Sequence, residues 1–264
     1  MTSSISPAVL ELATTVLGSG PPVVVLHGLL GRARNWLTIA RGLERHWTVH
    51  LADLRNHGAS PWSDEAGYAA MAADVAALIE QRVGGRTRLL GHSMGGKVAM
   101  TLALARPELV ERLIVVDIAP VTYRQGYEDH IRAMQAVDLA AARKRADVDA
   151  ALAAAVPEPG MRGFLLQNLA SADDRFRWQP NLAALLRAMS EIGSFPNELA
   201  GRIYTGPSFA LRGERSDYVD AAGEAALRRL FPAIEILTVP GAGHWPHAEQ
   251  PAAFLHLLEP CLGG

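Results

Sequence analysis

The chain has 264 residues, 49% of them hydrophobic and 20% charged, which suits a soluble globular protein of one large domain or one domain with an insertion. A net charge of −2 without a basic patch argues against nucleic acid or an anionic membrane as the main partner, and no run reaches transmembrane length. The single cysteine, Cys261, excludes an internal disulfide and reads as a packing residue near the end of the last helix.

Met1–Pro7 lacks the basic start and apolar core of a signal peptide, so a cytoplasmic location is expected. Val9–Val16 alternates weakly and is predicted as an edge strand. After a turn at Gly18–Pro22, Val23–Leu26 is a continuous, mostly β-branched run suited to a strand buried on both faces. Asn35–Arg45 has helical spacing through Trp36, Ile39 and Leu43. Thr48–Ala52 is a second buried strand and ends at Asp53. Tyr68–Arg82 is a helix with Met71, Val75, Leu78 and Ile79 on one face. Thr87–Leu90 is a strand, Gly96–Arg106 a helix, and Leu113–Val116 a further buried strand that ends at Asp117. This alternation predicts an α/β fold: a mostly parallel central sheet with helices on both faces and right-handed crossovers.

The alternation stops between about Pro120 and Ile203. That stretch is alanine-rich and helical in pattern, punctuated by Pro157, Pro159, Pro180 and Pro196, and no strand is predicted in it. It reads as a helical cap (lid) over the sheet's carboxyl edge, inserted after the sixth strand. The core is then residues 1–119 and 204–264, and the cap residues 120–203. The alternation resumes with strands Ser208–Arg212 and Ile234–Val239 and helices Asp220–Leu230 and Gln250–Leu258.

The chemistry concentrates at Gly91-His92-Ser93-Met94-Gly95. Between a strand and a helix, G-x-S-x-G is a nucleophile elbow: the turn is so tight that the positions two before and two after the serine must be small. Ser93 then stands at the strand's carboxyl end, with the start of a helix favouring nearby negative charge. His92 fills the variable position, and its side chain is expected to point away from the cleft.

A serine hydroxyl needs a base, a group to orient that base, and donors for an oxyanion. The base is His244, on a glycine-flanked loop after the last strand, where ligands and catalysis sit in open α/β sheets. His46, His50, His130, His247 and His256 have no such position. Two residues compete as the acid. Asp117 follows directly from a buried strand and is preferred; Asp217 lies in the loop after the next strand and is the alternative. Adjacent strands about 4.8 Å apart put both within reach of His244. The oxyanion hole combines the backbone N–H of Met94 with that of Leu29 in the loop His27-Gly28-Leu29-Leu30-Gly31, and His27 ties that loop down. The loop has no P-loop lysine and the chain no G-x-G-x-x-G, so nucleotide phosphates are not indicated.

With His27-Gly28, the run Asp53–Ser60, Gly91–Gly96 and Gly243-His244-Trp245, the chain resembles the α/β-hydrolases. It resembles YbfF-type esterases more narrowly through Leu29–Gly31 with Asn35-Trp36, through Val115–Pro120, and through Asp174–Phe176, Trp178 and Asn181-Leu182. The resemblance implies an α/β-hydrolase fold and a carboxylesterase or thioesterase with a helical lid. It implies that the acid is Asp117, and that Asp53, Arg55 and His57 form a structural turn buttressing the oxyanion loop. Aspartate at both 117 and 217 departs from the family pattern and leaves a switch of acid open.

The expected activity is cleavage of a small-molecule carboxylic ester of short to medium acyl chain, or of a thioester such as acyl-CoA, through an acyl-enzyme. It requires no metal or organic cofactor. A cofactor-free perhydrolase and a carbon–carbon bond hydrolase use the same triad, and a ligand-binding receptor on this scaffold is the rival from another class. Serine at the elbow argues against epoxide hydrolases and haloalkane dehalogenases, which use a carboxylate there. Met134, Phe164, Leu165, Leu166, Leu185, Leu186, Met189 and Phe195 are either an acyl pocket or ordinary cap core, and helical spacing alone explains them as core. Arg32, Arg34 and Arg124 either flank the entrance or serve surface solvation. Nothing in the sequence speaks to oligomeric state.

Overall fold

A computed structural model describes residues 8–123, 127–172 and 175–263 and is built around a seven-stranded sheet. Before the insertion the chain forms β1 (Thr14–Leu17), β2 (Pro22–Leu26), α1 (Leu37–Leu43), β3 (Thr48–Ala52), α2 (Tyr68–Leu78), β4 (Thr87–His92), α3 (Met94–Ala105) and β5 (Val110–Val116). The insertion holds α4 (Tyr127–Ala136), α5 (Arg145–Leu152), α6 (Pro159–Leu166), β6 (Leu169–Ala172), β7 (Arg175–Trp178), α7 (Leu182–Arg187) and α8 (Met189–Gly193). Then come β8 (Ser208–Gly213), α9 (Ala221–Leu230), β9 (Ile234–Val239), α10 (Pro246–Glu249) and α11 (Pro251–Leu262).

The sheet order is β1-β3-β2-β4-β5-β8-β9, with β1 antiparallel to β3 and every other pair parallel. The middle strands carry apolar runs, Val23–Leu26, Leu89-Leu90 and Leu113–Val116, because both faces are covered there. On one face, Met71 and Val75 of α2, Val98 and Leu102 of α3 and Leu227 of α9 join one core. On the other, Ile39 and Leu43 of α1 pack with Phe254, Leu258 and Cys261 of α11. Burial pushes the Cys261 thiol up to about 12, so it is inert packing. Parallel register brings the carboxyl ends of β2, β4, β5, β8 and β9 to one edge: Leu26 pairs with Gly91, His92 with Val116, Val116 with Leu211, and Gly213 with Val239. Residues just beyond these ends become neighbours although they lie far apart in sequence.

Four details differ from the sequence reading. The insertion follows the fifth strand, not the sixth. It also contains strands: β6 and β7 form an antiparallel hairpin, in which the four residues Arg175-Phe176-Arg177-Trp178 alternate but are too few to mark a strand, and their partner carries no strong β signal. The first strand begins at Thr14 instead of Val9. The backbone N–H of Leu10 donates to Asp74 Oδ1 (2.7 Å) and that of Ala13 to Ser60 Oγ (2.9 Å), so side chains take the donors a ladder would use. Finally, the helix predicted from Asn35 opens with a 3-10 turn over Ala33–Trp36. Asp174 and Arg124, singled out in the sequence, lie outside the described residues.

The turn after β3 is locked to α2 by a buried ion pair. Arg55 Nε and Nη2 donate to Asp74 at 2.7 and 2.8 Å, and both side chains are fully buried. Removing one member leaves a charge stranded out of water. Asp74→Asn is expected to lower unfolding free energy in urea by about 3–5 kcal/mol, and the double variant Arg55→Met/Asp74→Leu to lose clearly less.

Candidate active site

The elbow is enforced by contacts that admit no side chain. A Cβ on Gly91 would sit 2.1 Å from the carbonyl oxygen of Gly95, and one on Gly95 would sit 2.5 Å from that of His27. The backbone of Ser93 adopts φ 52° and ψ −120°, a region that costs an ordinary residue about 1–3 kcal/mol. Among the described residues only Leu30, Asn56, Ser93 and Asp117 combine a side chain with positive φ, and two of them, Ser93 and Asp117, are hydrogen-bonded to His244. The Ser93 N–H donates to the Val116 carbonyl (3.0 Å), which holds the bend against β5.

Ser93 Oγ lies 3.1 Å from His244 Nε2, and His244 Nδ1 lies 2.8 Å from Asp117 Oδ2. A carboxylate can only accept, so Nδ1 carries the proton and Nε2 is left to receive one from the serine. Asp117 is fully buried. Its Oδ1 accepts from the Gly213 N–H (2.8 Å) and its Oδ2 also accepts from Ser216 Oγ. Gly213 is where the β8 and β9 loops touch: a Cβ there would meet the Gly243 carbonyl at 2.1 Å. The structure thus brings Ser93, His244 and Asp117 together, while Asp217 is exposed and stands outside the chain of bonds. The cap of α9 is Asp220, which accepts from the Gly223 N–H (2.7 Å).

The loop after β2 closes over the serine; a Cβ on Gly28 would lie 3.2 Å from Ser93 Cβ. Two buried histidines pin it. His57 Nε2 accepts from the Leu30 N–H (3.2 Å) while its Nδ1 donates to the Arg55 carbonyl (2.9 Å). His27 Nε2 accepts from the Leu54 N–H (3.0 Å) while its Nδ1 donates to the Gly28 carbonyl (2.8 Å). Each ring needs one bare nitrogen, so each must be neutral. Burial pushes His57 down to about 3 and lowers His27 as well. Asp53 completes the brace, accepting from the N–H groups of Ala33 (2.6 Å) and Ala59 (2.8 Å). The amides of Leu29 and Met94 donate to no other described residue, and both residues line the cavity at Ser93.

A model of the alpha/beta hydrolase fold matches residues 21–251. The chain belongs to the α/β-hydrolase family. Over 89% of this chain and 78% of its own length, a mouse protein named sn-1-specific diacylglycerol lipase ABHD11 is 42% identical. Esterase YbfF of Escherichia coli is 32% identical over 90% of this chain and 91% of its own. A solved structure described as a marine microorganism esterase superposes with a TM-score of 0.92 at 35% identity, covering 96% of this chain and all of that one. These relatives and the fold make the protein an esterase-type hydrolase. No helix among the described residues is long and apolar enough to cross a membrane.

Several residues of this hydrolase's site carried no clear sequence signal. His92 does not point away: its Nε2 donates to the His244 carbonyl (2.7 Å), and its ring packs 4.9 Å from that imidazole. With β4 running to His92, a side chain at the strand's end turns back beneath the β9 loop. His247, set aside in the sequence, is buried and stacks on Trp36 at 4.0 Å. Lys97, one helical turn after Ser93, is buried, and its ammonium donates to the carbonyls of Val121 (2.9 Å), Gly193 (2.9 Å) and Ser194 (2.7 Å). Burial lowers it to about 7.

Two cavities flank Ser93. One is lined by Met94, Ile118, Met189, Ile192 and Tyr123, with Lys97 in its wall. The other is lined by His244, Trp36, Phe164 and Trp245, and the last two also border an outer groove of about 1230 Å³. Of the suggested acyl-pocket residues, Met189 and Phe164 face these cavities. Met134, Leu165, Leu166 and Leu185 are buried core, and Leu186 and Phe195 pack against it. Arg32 and Arg34 line the outer groove, Arg32 donating to Gln167 O (3.0 Å) and Gln179 Oε1 (2.7 Å).

His57 and His247 are both held near 3 by burial. Unfolding returns them to about 6.5, so between these values the unfolded chain binds more protons and stability falls as pH falls. His27 and His92 are lowered by burial as well, so urea unfolding at pH 7, 6, 5 and 4 is expected to show stability dropping below about pH 6.5, with a slope that exceeds roughly 3 kcal/mol per pH unit below pH 5.5. His57→Gln is expected to take about 1.4 kcal/mol per pH unit off that slope.

Proposed function

We propose that the protein is a serine esterase in which Ser93 attacks the carbonyl of a carboxylic ester. The observation that carries this reading is the unbroken chain Ser93 Oγ, His244 Nε2, His244 Nδ1, Asp117 Oδ2 at 3.1 and 2.8 Å. His244 takes the serine proton as the C–O bond forms, and Asp117 holds the imidazole's tautomer and offsets its developing charge. The amides of Leu29 and Met94 stabilise the tetrahedral oxyanion, aided by the start of α3. His244 then protonates the departing alcohol and, after it leaves, draws a proton from water so that hydroxide attacks the acyl-enzyme. The acid returns to solution and Ser93 regains its proton.

The insertion acts as the lid. The acyl group lies on the Met94, Ile118, Met189 and Ile192 side, whose apolar lining suits a short to medium chain. The leaving group lies toward Phe164 and Trp245, where the cavity continues into the outer groove. Arg34 and Arg145 are exposed on that groove beside Glu158 and Glu249, so an anionic leaving group such as that of an acyl-CoA thioester meets guanidinium and carboxylate groups together, and the groove's charge does not by itself select it. A panel of p-nitrophenyl esters of increasing length, run beside matching acyl-CoA thioesters, separates these substrates.

Ser93→Ala is expected to fall below about one part in 10⁴ of wild-type turnover on p-nitrophenyl acetate while unfolding at an unchanged temperature. Persisting turnover by that folded variant would end the proposal. Asp117→Asn is expected to cost about 10⁴-fold in kcat and Asp217→Asn to leave kcat within about twofold; the reverse pattern would transfer the acid to the β8 loop.

A further inference from the structure

Both nitrogens of His244 are committed, to Asp117 and to Ser93. One face of the ring is committed as well. Tyr218 lies flat against it, with ring centroids 3.7 Å apart and planes 16° from parallel. The other aromatic neighbours meet the imidazole tilted or edge-on: His92 at 4.9 Å and 44°, Trp245 at 5.4 Å and 64°.

The tyrosine is held from several sides. Its carbonyl accepts from the hydroxyl of Tyr123 (2.5 Å), which itself accepts from the Ala119 N–H (2.9 Å). Its N–H donates to Ser216 Oγ (3.3 Å), the hydroxyl that also donates to Asp117. Its phenol shares a hydrogen bond with Tyr127 at the start of α4. One short segment therefore braces the acid through Ser216 and covers the base through Tyr218.

We propose that Tyr218 is a positioning residue that orients His244 and favours its cationic form through the face of its ring. An aromatic face carries negative potential, so it attracts an imidazolium more strongly than a neutral imidazole. The attraction grows as His244 takes the serine proton, which is when it lowers a barrier. The effect adds to that of Asp117, which acts in the plane of the ring. The inference rests on the reading of Ser93 and His244 given above.

A tyrosine at this place also excludes water, and exclusion alone disfavours the cation. The two effects have opposite signs in a pH profile. The titratable groups around the imidazole are Asp117 from the end of β5, His92 from the elbow and His247 from α10, and Tyr123 and Tyr127 face Tyr218. Burial holds His92 well below the usual range and His247 near 3, and it raises the phenols. Lys97, lowered to about 7, lines the cavity beside Ser93 but spends its ammonium on the carbonyls of Val121, Gly193 and Ser194, so the test reads the shift of the acid limb between variants that all keep Lys97.

The test is kcat/KM for p-nitrophenyl acetate between pH 5 and 8.5 in wild type, Tyr218→Phe, Tyr218→Leu and Tyr218→Met, with near-ultraviolet circular dichroism confirming the fold at each pH. Phenylalanine keeps the ring face; leucine and methionine keep the shielding and lose the face. The phenylalanine variant is expected to retain the wild-type acid limb. In the other two the limb is expected to move to lower pH by about half to one unit, with plateau kcat falling about three- to tenfold. A limb unmoved or moved to higher pH in the ring-free variants overturns the proposal, as does a phenylalanine variant that behaves like leucine. Ser93→Ala keeps the two failures apart: if it is inactive while the ring-free variants keep the wild-type limb, only the role of Tyr218 falls.

Discussion

A serine at φ 52°, wedged where Gly91 and Gly95 leave no room for a Cβ, is the constraint on which the rest depends. The bend turns the chain from β4 into α3 within one residue. It leaves Oγ outside both elements, 3.1 Å from an imidazole that arrives from 151 positions later in the chain. Such a backbone conformation persists only when its surroundings over-determine it. Here they do: the Ser93 N–H is tied to β5, the loop after β2 closes over the serine, and His92 fastens the β9 loop from behind. The strain is local, and the packing that supports it is the sheet itself.

The supports use polarity as well as volume. His27 and His57 each accept one backbone N–H and donate to one carbonyl, an arrangement only a neutral imidazole can satisfy. Burial keeps them neutral. Around them the charged groups are paired: Asp53 receives two backbone donors, and Arg55 meets Asp74 in a two-pronged contact. The brace is expensive to assemble in a dry interior and correspondingly hard to deform, because a shift of a few tenths of an ångström strands a donor. This ties the loop after β2 to α2, well away from the serine.

Much of this was legible in the sequence. Strand runs of Val, Ile and Leu marked the sheet, and the glycines around Ser93 marked the bend, because both follow from short-range rules about burial and steric room. The preference for Asp117 over Asp217 came from a buried strand fixing its last residue, and the geometry has that form. What escaped notice depends on contacts between segments distant in the chain. Asp74 reads as one polar residue on an alanine-rich helix until Arg55 is placed against it. His92 reads as a variable position until β4 is seen to run two residues further than its apolar core. Tyr218 has no periodicity to betray it, and the β6–β7 hairpin is too short for alternation to stand out against the alanine-rich helices around it.

The insertion is bound to the core at both sides of Ser93. Lys97, on the elbow's own helix, grips the carbonyls of Val121, Gly193 and Ser194, while Asn168 Nδ2 donates to the Leu30 carbonyl (2.7 Å) in the loop that covers Ser93. The ammonium of Lys97 has carbonyl oxygens and the ring of Tyr123 (4.8 Å) for company, and among the described residues it makes no hydrogen bond to a carboxylate. When it is protonated its charge is offset by dipoles that belong to the insertion, so displacing the insertion would remove the acceptors that let it stay charged. The same segment that lines the space beside Ser93 therefore stabilises the helix that presents Ser93. Pocket shape and the position of Ser93 are coupled through one side chain, and an altered insertion changes both together.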